Sequence, residues 1–199
     1  MDDAITCLND KKIILVEGIS GVGKSTYIKN NLFETKDGTN ALVIHGDRFR
    51  PNCRNTIEQY SQDNKKQLYN TLLAVNEETI VIDGLIHTTE YDLLGFFEVS
   101  MKEIEKYYEN LLFEMRSSCR LIYIYTQEID SLIDVTLGER ENQRKDWIEG
   151  FNEFLNHAPL ALHNGWKGKN GAKSFLNYVH SVNEYIFANI NVEKYRYIR

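Results

Sequence analysis

The sequence predicts an α/β fold in which helices cover both faces of a parallel sheet. Two observations carry that prediction. Short, nearly continuous apolar runs recur at residues 13–17, 41–45, 79–83 and 120–126, and strands of that kind are buried on both faces, as in parallel sheets. Segments of helical periodicity fill the intervals between them, so each connection is a crossover, and crossovers take one hand.

The elements follow in order. "IILVE" (13–17) is a buried strand closed by Gly18, and the helix after it runs from Lys24 to about Phe33. "KDGT" (36–39) is a turn signal, and "ALVIH" (41–45) is the second strand. Beyond "GDRFRP", a helix from about Arg54 to Val75 places Ile57, Tyr60, Leu68, Leu72 and Val75 near helical spacing. "TIVID" (79–83) is the third strand. Ser100 and Glu103 spell a capping box, opening a helix whose apolar stripe is Ile104, Tyr107, Tyr108, Leu111, Leu112 and Met115. "RLIYIYT" (120–126) is the fourth strand, with a helix to about Leu137 behind it. "GERENQRKDW" reads as charged helix or loop, and "HNGWKGKNGAK" as a Gly/Lys loop whose 165–173 portion is a solvated connection more readily than a phosphate contact. "AKSFLNYVHSVNEYIFANI" is a last amphipathic helix, and "VEKYRYI" a short terminal strand. No internal repeat or domain boundary interrupts residues 1–199, which read as a single domain.

Bulk properties narrow the function classes. The chain has 199 residues, 42% hydrophobic and 26% charged, which suits one domain with a substantial core. Its apolar runs are too short to cross a bilayer, and the acidic "MDDAITCLNDKK" does not read as a secretory signal. Cys7, Cys53 and Cys119 are odd in number and far apart, as free thiols in a reducing cytoplasmic compartment would be. A net charge of -6 argues against a nucleic-acid backbone as partner and favours a small ligand, with a homodimer left open.

Chemistry concentrates first at "GISGVGKST". Gly18, Gly23, Lys24 and Ser25 fit the phosphate-cradling pattern G-x-x-x-x-G-K-[ST], with Ser20, Gly21 and Val22 inside the loop. Glycines let the backbone approach the anion, and loop amides with the helix N-terminus point at it. Lys24 is expected at the β- and γ-phosphates, Ser25 on Mg²⁺, and Thr26 at the helix start or the α-phosphate. Guanine readout by an Asn-Lys-x-Asp stretch is not found after a late strand, so ATP is the expected nucleotide.

Further candidates follow each strand end, where open parallel sheets bind ligands. In "HGDRFR", Asp47 is a general base or orienter for an attacking hydroxyl. Arg48 and Arg50 add donors for an anionic acceptor, Arg50 reading more plainly as surface charge. Asp83 ends the third strand as an acid that would hold Mg²⁺. His87, Tyr91, Phe96 and Phe97 are candidates to wall an acceptor pocket, with helix core as the plainer alternative. Arg140 and Arg144, four apart, share a face if helical and would then spread the charge on a transferring phosphoryl group.

Together these motifs resemble the P-loop small-molecule kinases over about residues 12–150. "VEGISGVGKST" is similar to the opening of thymidylate and deoxynucleoside kinases, whereas "GDRFR" resembles the "GDNVR" turn of adenylylsulfate kinases. The chain departs from the first group in having Gly84 and Leu85 after Asp83, where those kinases carry an Arg. The resemblance implies a three-layer P-loop NTPase fold, Mg·ATP and a lid, here near residues 138–150. The expected activity is transfer of the γ-phosphate to a hydroxyl of a small, nucleoside-like acceptor. A nucleoside monophosphate kinase and a regulatory ATPase without an acceptor are the alternatives.

Overall fold

The computed structural model describes residues 11–32, 41–51, 55–144 and 146–199; the turn expected at 36–39, the helix ends at Phe33 and Arg54, and Cys7 and Cys53 lie outside them. Among the described residues, β1 (Lys12–Glu17), β2 (Leu42–His45), β3 (Thr79–Asp83), β4 (Cys119–Tyr125) and β5 (Glu193–Ile198) form one sheet. Its order is β2-β3-β1-β4-β5, and every neighbouring pair is parallel. Helices on both faces make this a three-layer α/β fold. β1 lies at the centre, and Ile13, Leu15 and Val16 have no exposed surface. That explains its unbroken apolar sequence.

The helices are α1 (Lys24–Asn31), α2 (Ile57–Ala74), α3 (Leu85–Phe96), α4 (Met101–Leu112), α5 (Ile129–Gln143), α6 (Trp147–Leu155), α7 (Pro159–Asn164) and α8 (Gly168–Asn189). Tyr60, Leu68 and Leu72 of α2 are fully buried, as are Ile104 and Tyr108 of α4. Each such side chain contributes about 1.5–3 kcal/mol through removal from water. Met115 also reaches the core, from a 3₁₀ turn (Phe113–Met115) that follows α4. The capping box is complete. Ser100 Oγ accepts from the Glu103 amide at 3.3 Å, and Glu103 Oε2 accepts from the Ser100 amide at 2.7 Å.

Three elements differ from the sequence reading. α2 starts at Ile57, because the Thr56 hydroxyl accepts the Gln59 amide and caps it there. α5 runs on through the charged segment to Gln143. The expected 165–173 loop is mostly the first turns of α8. Gly165, at φ 66°, closes α7, and α8 begins three residues later. Ion pairs hold those turns against α5: Lys169 with Glu141 at 2.8 Å and Lys173 with Asp134 at 2.8 Å. Cys119 is a buried free thiol, and no described helix is long and apolar enough to cross a membrane.

Register brings the strand ends together. Asp83 pairs with Val16 on one side and with His45 on the other. The turn after β2 presses on the turn after β3 so closely that a Cβ at Gly46 would sit 2.3 Å from the Gly84 carbonyl oxygen. Only glycine fits there, and the polar residues after the two strands are thereby held side by side.

Because the α4 cap is remote from these strand ends, Ser100→Ala isolates a local contribution. Urea unfolding should show a loss of about 1 kcal/mol, the usual cost of removing such a cap.

Candidate active site

The loop between β1 and α1 depends on backbone that only glycine adopts readily: Gly18, Gly21 and Gly23 have φ of 132°, 81° and 97°. Gly18 also packs against β4, where a Cβ would meet the Ile124 carbonyl oxygen at 2.5 Å. Below this loop lies a cavity of about 400 Å³ lined by Ser20, Gly21, Gly23, Lys24, Ser25 and Thr26. Val22 is buried and, like Gly18, shapes the loop without lining the cavity. The Lys24 ammonium donates to the carbonyls of Gly18 at 2.7 Å and Ile19 at 3.1 Å. Burial lowers its pKa, against the opposing pull of the Glu17 and Asp83 charges. Across the cavity the Ser25 hydroxyl donates to Asp83 Oδ2 at 2.9 Å.

Glu17, which the sequence marks only as the Glu of the "VEGISGVGKST" opening, joins two halves of the site. Its buried carboxylate accepts the amides of Ile86 at 2.8 Å and His87 at 3.1 Å. These are first-turn amides of α3, which have no partner within the helix. Burial pushes the Glu17 carboxyl up to about 7, although the two amides and Lys24 favour its charged form. The sequence signal was a lone acid ending an otherwise apolar strand.

A second cavity, about 410 Å³, opens beside the first and shares Ser20, Asp47, His87, Thr88 and Arg140 with it. Its walls are aromatic: Tyr91 and Phe96 from α3, and Trp147, Phe151 and Phe154 from α6. Trp147 stacks on Phe151 at 5.0 Å, and Phe154 meets Phe175 edge-on at 5.3 Å. The α6 aromatics were missed; their 147, 151, 154 spacing, one helix face, was the available signal. Phe97 instead packs into the core against Tyr60. His87 Nε2 lies 3.1 Å from Ser20 Oγ at the seam of the two cavities. Burial, then the Lys24 and Arg140 charges, hold this imidazole well below its ordinary range, so it is neutral.

The predicted arginines divide. Arg140 lines both cavities, but Arg144 pairs with the exposed Asp146 at 2.8 Å and lines neither. The shared face expected for the two requires a continuous helix, and the chain leaves helical geometry at Arg144 (φ -148°, ψ 104°). Arg48 faces a different cleft, among Leu42, Val43 and Asn70. Arg50, read as surface charge, lines the aromatic cavity instead. Its guanidinium grips the buried Asp92 with two nitrogens, Nε at 3.0 Å, and Tyr60 donates to the same carboxylate at 2.9 Å. Asp47 is 75% exposed, lines both cavities, and lies 3.6 Å from Arg50.

No group of three or more His, Cys, Asp or Glu among the described residues is clustered to hold a metal ion. Ser25 and Asp83 nevertheless present two hard oxygens to the loop-side cavity. That donor set fits Mg²⁺, which takes one or two protein ligands and completes its shell with water and phosphate.

No family model matches the chain, and no curated protein does. Among solved structures its fold is similar to that of the YorR protein from Bacillus subtilis, determined in complex with phosphorylated GDP. The two share 13% identity at a TM-score of 0.53, over 94% of this chain and 85% of that one.

The Glu17 carboxyl gives the site a pH signature. Its pKa rises from 4.5 to about 7 on folding, so the folded chain holds this proton more tightly than the unfolded one. The resulting stability is full below about pH 4.5 and is lost as pH rises toward about 7. In unfolding titrations across this window, the stability of wild type relative to Glu17→Gln should grow as pH falls. A pH-independent difference would remove the buried-acid assignment.

Proposed function

We propose that the chain transfers the γ-phosphoryl group of Mg·ATP to a hydroxyl of a small, nucleoside-like acceptor. The observation that carries this reading is the pair of adjoining cavities. One is built from the phosphate loop and the other has aromatic walls, with Asp47, His87 and Arg140 on their shared rim. A nucleotide switch without an acceptor needs no second walled cavity. The bound nucleotide of the YorR structure supports a nucleotide ligand for this fold, and ATP remains the expectation from the lack of a guanine-reading motif.

In this mechanism Lys24 and the loop amides hold the phosphates. Lys24 exchanges its Gly18 and Ile19 carbonyl partners for phosphate oxygens, which compensates its burial. Ser25 and Asp83 would hold Mg²⁺, which supplies charge neutralisation on the β- and γ-phosphates. The planar part of the acceptor stacks among Tyr91, Phe96 and the α6 aromatics, with its hydroxyl directed at the shared rim. The hydroxyl oxygen forms a bond to the γ-phosphorus as the bond to the bridging oxygen breaks, releasing ADP. Asp47 takes the hydroxyl proton, and Arg140 faces the charge on the phosphoryl group in transit. The residues around 138–150 act as the lid through Arg140 and the start of α6.

Arg50 favours a second reading, since a guanidinium in the acceptor cavity suits a phosphate. The chain would then be a nucleoside monophosphate kinase.

Incubation with γ-labelled ATP and a panel of nucleosides, nucleotides, sugars and other small alcohols tests the proposal. A labelled product is expected, and its absence across the panel with slow hydrolysis alone would point to the regulatory ATPase. Lys24→Ala should lower turnover by about 100-fold or more while leaving the circular dichroism spectrum intact. Asp47→Asn separates the two kinase readings. A hydroxyl acceptor gives a kcat loss of roughly 100-fold or more, the scale of general-base catalysis, whereas a phosphate acceptor needs no base and loses little.

A further inference from the structure

His45 ends β2 in register with Asp83, and paired residues on neighbouring strands project to the same side of a sheet. Its Nδ1 lies 3.7 Å from Asp83 Oδ2, the same oxygen that accepts from Ser25 at 2.9 Å. The gap to His45 exceeds ordinary hydrogen-bond length. The imidazole is thus directed at the carboxylate without being bonded to it. It lines the phosphate-side cavity together with Lys24 and Ser25. Its side chain is 73% exposed against 7% for Asp83, so it is free to rotate while the carboxylate is fixed.

We propose that His45 supplies a nitrogen ligand to the divalent cation held by Ser25 and Asp83, so that the site takes Mn²⁺ in preference to Mg²⁺. The proposal rests on the reading that a nucleoside triphosphate occupies the cradle. Neighbouring ligands of an octahedral ion at about 2.1 Å lie about 3 Å apart. The Ser25–Asp83 pair already has that spacing at 2.9 Å, and His45 reaches it by closing less than 1 Å from 3.7 Å. An imidazole adds little for Mg²⁺, a hard ion served by oxygen and water, whereas Mn²⁺, at the start of the first transition row, takes nitrogen beside oxygen. Seating the nitrogen needs only side-chain rotation, because strand register has already set its Cα beside that of Asp83.

Pulsed electron paramagnetic resonance on the whole chain with Mn²⁺ and a non-hydrolysable ATP analogue tests this directly. Wild type should show phosphorus coupling from the nucleotide and nitrogen coupling from a directly bound imidazole. His45→Ala and His45→Gln should lose the nitrogen coupling and keep the phosphorus. Calorimetry should find the Mn²⁺-over-Mg²⁺ affinity ratio falling about tenfold in both variants, within the range for lost metal-site partners. Phosphorus coupling without nitrogen in wild type, or an unchanged affinity ratio, overturns the proposal and leaves the nucleotide reading standing. Nitrogen coupling without phosphorus overturns the nucleotide reading alone, and loss of both signals at saturating analogue removes both.

Discussion

The carboxylate of Glu17 accepts the leading free amides of α3, so that helix begins where the central strand ends. β1 continues directly into the glycine-rich loop, while α3 carries His87, Thr88 and Tyr91 along its first two turns. One buried acid therefore fixes the distance between the group that would hold phosphates and the wall of the neighbouring cavity. Removing a carboxylate from water is costly, and two amide hydrogen bonds with a nearby ammonium offset only part of that cost. Such a residue serves position more than stability, much as buried polar networks specify a single arrangement.

The same economy governs the other side of the site. Gly46 and Gly84 bring two turns into backbone contact, and strand register does the rest. Asp83 is reached by Ser25 from the first turn of α1 and faced by His45 from β2. Residues 25, 45 and 83 thus meet through three separate strand ends, and each position depends on the sheet order more than on any local motif.

This dependence separates what the sequence makes legible from what it hides. Strands of a central parallel sheet announce themselves as apolar runs, and the glycine-rich loop needs a strand before it and a helix after it, so both can be read locally. The side on which a residue lies after a strand cannot. Gly46–Phe49 forms a 3₁₀ turn, with three residues per turn. Asp47 and Arg50 therefore face the same way, and Arg48 is turned aside. A helical count of four misplaced Arg144 for a related reason: its helix ends one residue too soon. The aromatic face of α6 was visible as spacing, but nothing local stated what it would face. Phe154 lies flush on Gly95, where a Cβ would come within 2.4 Å of its ring, a match between two helices that no single segment encodes.

The aromatic wall has an optical side as well. Trp147 is one of two tryptophans in the chain, and its indole stacks on Phe151 at 5.0 Å on the rim of the cavity. The other, Trp166, packs near Tyr178 and does not line that cavity. A ring sliding between Trp147 and α3 would change the polarity around one fluorophore and leave the second as an internal reference. The chain thereby carries its own dye, and candidate ligands can be ranked by emission.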